Sequence, residues 1–289
     1  MKNLKFYFKF IIYYLTNNII SSKDIGKSFD RISNNYDSIY LKQIINSSTP
    51  MLDEIINKLQ SNTKEDLNIL DLGCATGFNS NYIYSKLKTG TYILVDISKG
   101  MINNAKSNCD FNCVFVESDM LAYLNKCSDN SMDVIICSYA ISYNCPKKII
   151  KECCRVLKNG GFFGVIDNLK GTLPELKKLY PKLLVNHQDL VNKLIVKLPY
   201  SRNEYFFEKM FVDNRFNRIN LKSDSHMLNF NNKTTLCDFL CTSGILSPLD
   251  SAIDLEHPRV KSTLAKLLEY YNVNNLTHKY IWGSFRNDK

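Results

Sequence analysis

The chain has 289 residues, 45% of them hydrophobic and 22% charged, as in a globular protein of one large domain or one domain with a substantial appendage. That composition excludes a collagen, a coiled coil and a disordered chain. The formal charge of +9 is unevenly placed: residues 1–27 hold five Lys and one Asp, residues 169–222 hold eleven basic and five acidic side chains, and the rest carries −1. Two basic stretches thus flank a neutral body, either as solvated faces or as surfaces that concentrate anionic partners.

In chain order, the first feature is the aromatic and apolar run from Phe6 to Leu15, interrupted by Lys9. It is far shorter than the roughly 20 residues that span a bilayer. Lys2 and Lys5 precede it as in a signal peptide, but Thr16-Asn17-Asn18 follows without a small-residue cleavage pattern. The expectation is a helix that packs on the body or, alternatively, touches a membrane surface. From Pro50 onward, helical and strand-like runs alternate. Thr49 reads as an N-cap with Pro50 at the first helical position, and Met51, Leu52, Ile55, Ile56 and Leu59 recur at helical spacing.

Strands are expected at 67–72, 92–96, 113–116, 132–137 and 162–166, with Ser98 capping one intervening helix and Pro146 opening another. Strands that are apolar throughout and alternate with helices indicate a mostly parallel sheet covered on both faces, a doubly wound, Rossmann-like α/β fold. Residues 169–222 break the rhythm with Leu-, Lys- and aromatic-rich helical patterns and read as an inserted cap. Residues 278–285 read as a strand returning to the sheet edge. The expected organisation is a helical lid over 1–48, an α/β core over 49–168, a helical cap over 169–222 and completion of the core sheet by 223–289. Ten cysteines show neither a Cys-x-x-Cys pair nor zinc-like Cys/His spacing. No metal is therefore expected, and a reducing, cytoplasmic setting is the simplest reading.

The first strand ends in Asp71-Leu72-Gly73-Cys74-Ala75-Thr76-Gly77. A small-residue turn at the carboxyl end of a parallel strand lets the backbone approach a ligand closely. Asp96 ends the second strand, where a carboxylate can accept from both hydroxyls of a ribose. Those two features also fit a dinucleotide site. However, Gly73-x-Ala75-x-Gly77 lacks the Gly-x-x-Gly ending that seats a pyrophosphate on a helix N-terminus.

Here the sequence resembles the class I S-adenosyl-L-methionine (SAM) methyltransferases. Asp71-Leu-Gly-Cys-Ala-Thr-Gly77 resembles their glycine-rich motif, with Ala75 in place of the usual middle glycine. Val95-Asp96-Ile97-Ser98-x-x-Met101 resembles their second motif, which implies that Asp96 holds the ribose while Ile97 and Met101 pack against adenine. Ser118-Asp119-Met120 resembles the adenine-edge motif, with Asp119 accepting from the exocyclic amine. Ser138-Tyr139-Ala140 matches the segment that faces the methionine portion and the substrate, and Arg155 to Gly161 matches the turn before strand five. The resemblance thus implies a cofactor site of Asp71, Gly73, Cys74, Ala75, Gly77, Asp96, Ile97, Met101, Asp119, Met120 and Ser138, binding SAM and releasing S-adenosyl-L-homocysteine.

Phe29 to Asp37, followed by Gln43, resembles the N-terminal lid of small-molecule methyltransferases, which implies that Tyr36 covers the methionine end of the cofactor. Gly171-Thr-Leu-Pro-Glu-Leu176 is similar to a segment of the malonyl-carrier-protein carboxyl methyltransferases and of the related complex I assembly-factor branch. The tail Leu276 to Gly283 is similar to theirs in position and pattern.

A sulfonium methyl is already activated, so the protein's contribution is proximity and orientation. The turn Ser138 to Asn144 holds no His, Asp or Glu, which suits a carboxylate nucleophile that needs no base. Tyr36, Tyr139, Tyr143 and His187 are the substrate-positioning candidates, against incidental or structural roles for each. The basic residues Lys177, Lys178, Lys182, Arg202, Arg215 and Arg218 either steer an acidic substrate or carrier protein or are simply solvated. The expected activity is O-methylation of a small acidic molecule or a carrier-bound acyl group. The alternatives are an RNA or tRNA methyltransferase, with Tyr205 to Phe207 and Phe211 stacking on bases beside Arg202 and Lys209, and a protein that binds SAM without turnover.

Overall fold

A computed structural model of the chain describes residues 2–60, 66–194, 200–247 and 249–289, and of residues 2–8 the backbone alone. The helices are α1 (Lys2–Leu15), α2 (Ser22–Ile32), α3 (Lys42–Gln60), α4 (Phe78–Leu87), α5 (Lys99–Asn108), α6 (Met120–Leu124), α7 (Pro146–Val156), α8 (Leu179–Asn186), α9 (Glu204–Val212), α10 (Lys233–Thr242), α11 (Leu249–Ala252) and α12 (Pro258–Tyr270). The strands are β1 (Asn68–Leu72), β2 (Thr91–Asp96), β3 (Cys113–Glu117), β4 (Met132–Ser138), β5 (Leu157–Asn168), β6 (Phe216–Asn229) and β7 (Asn275–Asn287). They fall into two compact units. One comprises Met1–Gln43, Gly171–Lys197 and Ser225–His278; the other comprises Ile44–Lys170, Leu198–Asp224 and Lys279–Lys289.

The second unit is built on a seven-stranded sheet in the order β3-β2-β1-β4-β5-β7-β6. The first five strands pair in parallel and β7 runs antiparallel to β5. The doubly wound expectation holds, because β1, β4 and β5 are buried almost end to end and alternate with helices. The 278–285 run is a strand but does not take the sheet edge: β6 lies outside it. The 169–222 segment is likewise not helical throughout. Phe216–Asn229 alternates buried or half-buried with exposed residues along most of its length, the period of a half-buried strand, and the segment divides between the two units after residue 197.

Aromatic packing fixes α9 on the sheet. Phe211 stacks on Phe285 with centroids 4.0 Å apart, and Phe163, Phe207 and Phe216 surround the pair. Phe207 and Phe211 are thus core residues, while Tyr205 and Phe206 remain exposed.

The helix expected to start at Pro50 starts earlier. α3 runs through Pro50 from Lys42. Proline removes the amide that would bond the Asn46 carbonyl, and Thr49 Oγ1 donates to that carbonyl instead, at 3.5 Å.

The first unit joins three distant stretches of chain. Lys9 Nζ donates to Gln188 O (2.6 Å), Tyr13 OH to Val191 O (2.9 Å) and Asn18 Nδ2 to Asn192 O (2.9 Å). Lys193 pairs with Asp24 at 2.6 Å, and Asp250 accepts from Ser28 and pairs with Arg31. Among the described residues, no helix is long and apolar enough to cross a membrane.

Candidate functional site

Strand order reverses between β1 and β4, with β2 and β3 on one side and β5 on the other. In an open parallel sheet, a crevice forms at the carboxyl ends of the strands flanking such a switch. The Gly73–Gly77 turn occupies that position after β1. Gly73, Ala75 and Gly77 all have positive φ, at +69°, +47° and +88°. Glycine takes that conformation freely; alanine does so at a cost of about 1–2 kcal/mol. The Gly73 and Cys74 amides donate to Val95 O (2.8 and 3.0 Å), tying the turn to the end of β2. A Cβ on Gly73 would run into the Cβ of Ala140, so the turn after β1 sits directly against the turn after β4.

Asp96 is the hinge of this arrangement. Its Oδ2 accepts from Ala75 N (2.9 Å) and its Oδ1 from Ser98 N (2.8 Å), so one carboxylate joins the glycine-rich turn to the start of α5. Ser98 then caps α5 by accepting from Met101 N at 3.1 Å. Met101 is buried and Ile97 half-buried.

Asp71 is 1% exposed at the end of β1, accepting from Ser80 Oγ (2.9 Å) and Asn79 Nδ2 (3.3 Å). Burial pushes its carboxyl up to about 6 against those hydrogen bonds. Asn79 also accepts from Ser138 Oγ (3.3 Å) at the end of β4, so Asp71, Asn79 and Ser138 form one chain of contacts beneath the turn.

Asp119 caps α6: its Oδ1 accepts from Leu121 N and Ala122 N (3.0 and 3.1 Å), and its Oδ2 from Asn144 Nδ2 (2.8 Å). Met120 beside it lies 3.9 Å from where a Cβ on Gly73 would stand. Asp71, Gly73, Cys74, Ala75, Gly77, Asp96, Ile97, Met101, Asp119, Met120 and Ser138 therefore all lie in the second unit, at the carboxyl ends of β1, β2 and β4 and in the turns and first helical turns that follow β1 to β3.

Tyr139 and Tyr143 lie in the same unit, on the turn after β4. Tyr139 holds a left-handed backbone at φ +53° and is 6% exposed, its hydroxyl 2.7 Å from Ser47 Oγ. A left-handed tyrosine persists only where its surroundings fix it. Tyr36 and His187 belong to the other unit. There, Tyr36 is buried between Phe29 and Tyr40, with ring centroids at 6.3 and 5.6 Å. His187 is 5% exposed, with Nε2 2.8 Å from Thr263 Oγ1, and burial lowers its pKa. That contact ties the end of α8 to α12.

The sequence left several supporting residues unmarked. Asp167 ends β5, is 3% exposed, and accepts from Ser142 of the turn after β4 and from Asn168 N (2.8 Å). Burial pushes its carboxyl up to about 7. That turn lacks a carboxylate in sequence yet has one bound to it in space. Ser47, Asn79, Ser80 and Asn144 were also missed. No local pattern marks Ser47, which lies 92 residues from its partner. Asn79-Ser80, directly after the glycine-rich turn, was the readable clue.

A family model described as a methyltransferase domain matches residues 63–197. That stretch is similar in sequence to a methyltransferase domain. The chain is 28% identical over 165 residues to a malonyl-[acyl-carrier protein] O-methyltransferase of Marinomonas sp., covering 55% of this chain and 56% of that protein. The chain thus spans about half the length of this curated relative.

Among solved structures, a putative sarcosine dimethylglycine methyltransferase from Galdieria sulphuraria superposes with a TM-score of 0.50 at 17% identity, covering 84% of this chain and 86% of that one. The [4+2]-cyclase SpnF superposes with a TM-score of 0.58 at 13% identity, covering 93% and 98%. The fold is that of the class I methyltransferases. One such structure is described as a cyclase, so the fold alone does not fix the reaction.

Proposed function

We propose that the chain is a SAM-dependent methyltransferase that O-methylates a small acidic molecule or a carrier-bound acyl group. The observation that carries this reading is Asp96. Its carboxylate ends β2 and is fixed by the amides of Ala75 and Ser98 beside a left-handed glycine-rich turn. A carboxylate only accepts hydrogen bonds, and one fixed at the carboxyl end of a parallel strand suits the donating hydroxyls of a ribose diol. The donor set therefore fits SAM: Asp96 for the ribose, Ile97 and Met101 for the adenine faces, Asp119 and Met120 for its edge, and the Gly73–Gly77 turn with Ser138 for the amino-acid end.

When bound, SAM supplies a methyl group already activated on a sulfonium. The chain's own residues then orient and enclose. Asp71, through Asn79 and Ser80, holds the glycine-rich turn in shape. Tyr139, braced by Ser47, and the Ser142–Asp167 contact fix the turn after β4, where the acceptor is placed. Asp167 is buried and bonded to that turn, so it is a positioning residue. A carboxylate acceptor is ionised at neutral pH and needs no proton removed.

Three observations favour an acidic, carrier-bound acceptor. Lys177 and Lys178 are exposed beside the Gly171 to Leu176 segment. The two segments that resemble the malonyl-carrier-protein enzymes also meet: Leu173 N donates to Thr277 O (2.8 Å), and Glu175 accepts from Thr277 N (3.1 Å) and Thr277 Oγ1 (2.5 Å). The similar Marinomonas protein is named for a malonyl carrier-protein substrate. The ten cysteines are free thiols, which supports a reducing, cytoplasmic setting.

Incubation with methyl-labelled SAM and a malonyl-loaded carrier protein tests this reading. The expected product is a base-labile methyl ester on the acyl chain. Label on RNA, or SAM binding with no transfer to any acidic acceptor, would overturn it.

A further inference from the structure

Helix α1 leaves large apolar side chains in water on the side turned away from the protein. A surface helix ordinarily turns its apolar stripe to the core and its polar residues to water. Among the described side chains of α1, Lys9 and Tyr13 face the protein, their ammonium and hydroxyl donating to the carbonyls of Gln188 and Val191, and Phe10 is half-buried beside them. Ile11, Ile12, Tyr14 and Leu15 instead stand 53%, 52%, 69% and 75% exposed. These are four of the ten exposed large hydrophobic residues among those described, gathered within five consecutive positions. The orientation is locked from below as well: the chain after α1 pairs with the 192–194 segment through Ile20 N to Leu194 O (3.1 Å) and Leu194 N to Asn18 O (3.0 Å). Rotating the helix to hide its apolar side chains would break these bonds.

Charge identifies what covers this face. The first 23 residues hold Lys2, Lys5, Lys9 and Lys23 and no Asp or Glu. The first carboxylate, Asp24, is paired with Lys193 at 2.6 Å. Exposed aliphatic and aromatic side chains within a purely cationic stretch match the boundary between anionic headgroups and acyl chains. The helix has 14 residues, about 21 Å at 1.5 Å per residue and short of the ~30 Å hydrocarbon core, so it lies on a bilayer rather than crossing it.

We propose that α1 docks this chain on an anionic membrane surface, with Ile11, Ile12, Tyr14 and Leu15 entering the headgroup–acyl boundary. This inference stands independently of the proposed reaction.

The test is flotation of the full chain with phosphatidylcholine vesicles, with and without phosphatidylserine. Binding is expected only with phosphatidylserine, and it weakens as salt is raised to about 0.5 M. The double substitution Ile12→Glu, Leu15→Glu is expected to weaken binding at least about tenfold. Both positions are exposed, so the melting midpoint should stay within a degree or two of the unsubstituted chain's. Absence of flotation with phosphatidylserine, or binding that the double variant retains, would overturn the proposal. So would a lipid-independent dimer that the double variant dissociates, since a second copy would then cover the face.

Discussion

The two units assemble by different means. The second is held by a sheet whose parallel strands follow one another along the chain, and its candidate site occupies the turns between those strands and the next helices. The first draws together stretches more than 160 residues apart, through single side chains that reach backbone carbonyls or buried and half-buried carboxylates. A sheet distributes its stability over many backbone bonds, whereas the first unit concentrates long-range ties on a few residues such as Asp24 and Asp250. Rigid elements position a site more accurately than isolated ties, which suits the sheet unit to hold a cofactor.

The largest expected effect strikes the sheet unit at its most crowded point. Gly73→Ala combines a left-handed backbone with a Cβ pressed on Ala140, and should cost about 2–4 kcal/mol by urea denaturation. A cost below 1 kcal/mol would mean that the turn after β1 is not braced by the turn after β4.

Next in size, Asp250→Ala should cost about 1–3 kcal/mol by leaving the buried Ser28 hydroxyl and Arg31 without this partner. Hydrogen exchange sharpens the contrast: α2 should lose protection while β1 to β5 keep theirs. Equal loss in both would erase the distinction between a sheet-held and a tie-held unit.

The units should also respond to acid differently. Burial raises Asp71 to about 6 and Asp167 to about 7, both from 3.8. A carboxyl raised in the folded state contributes stability that is full below pH 3.8 and is lost as pH rises through its folded value. In the first unit, burial and the neighbouring His226 lower His278 to about 3 from 6.5. Burial of Asp24 is outweighed by hydrogen bonds from Lys193 and Ser21, which hold it at about 2. Both of those groups contribute stability above their ordinary values that is lost as pH falls; Asp250, raised by burial, opposes them in part. Asp167→Asn should therefore flatten the sheet unit's decline between about pH 4 and 7, while His278→Gln should flatten the first unit's loss between about pH 6.5 and 3. Unit-resolved exchange at several pH values measures both slopes; matching signs would contradict the assignment.

The smallest effect is a gain. Ala75→Gly relieves a left-handed alanine at φ +47° and should stabilise the protein by about 0.5–1 kcal/mol, less than the full strain because glycine loosens the unfolded chain. Destabilisation would mean that the alanine methyl makes a contact worth more than its strain.

Much of the sheet unit was legible because its signals are local. Apolar runs mark buried strands, and the Asp71 to Gly77 turn and Asp96 sit at strand ends where a ligand site is expected. The strand β6 was hidden among helix-like Leu and Lys spacing, and its place at the edge is a long-range pairing that no neighbouring residue encodes. The continuation of α3 through Pro50 depended on one hydroxyl replacing one amide. His187 shows the limit most plainly: a histidine's chemistry is visible in a sequence, but its bond to Thr263, 76 residues away, is not. Asp167 shows the converse, a carboxylate whose importance appears only once β5 lies beside β4.

The proposed activity depends above all on Asp96 and the glycine-rich turn holding SAM. Titration calorimetry with the unsubstituted chain, Asp96→Asn and Asp96→Ala tests it most directly. The unsubstituted chain should bind one SAM, with affinity lowered at least about tenfold by each substitution, since a hydrogen bond to a charged group is worth about 1.5–3 kcal/mol. Failure of the unsubstituted chain to bind SAM or S-adenosyl-L-homocysteine, or equal binding by folded Asp96→Asn, would contradict it.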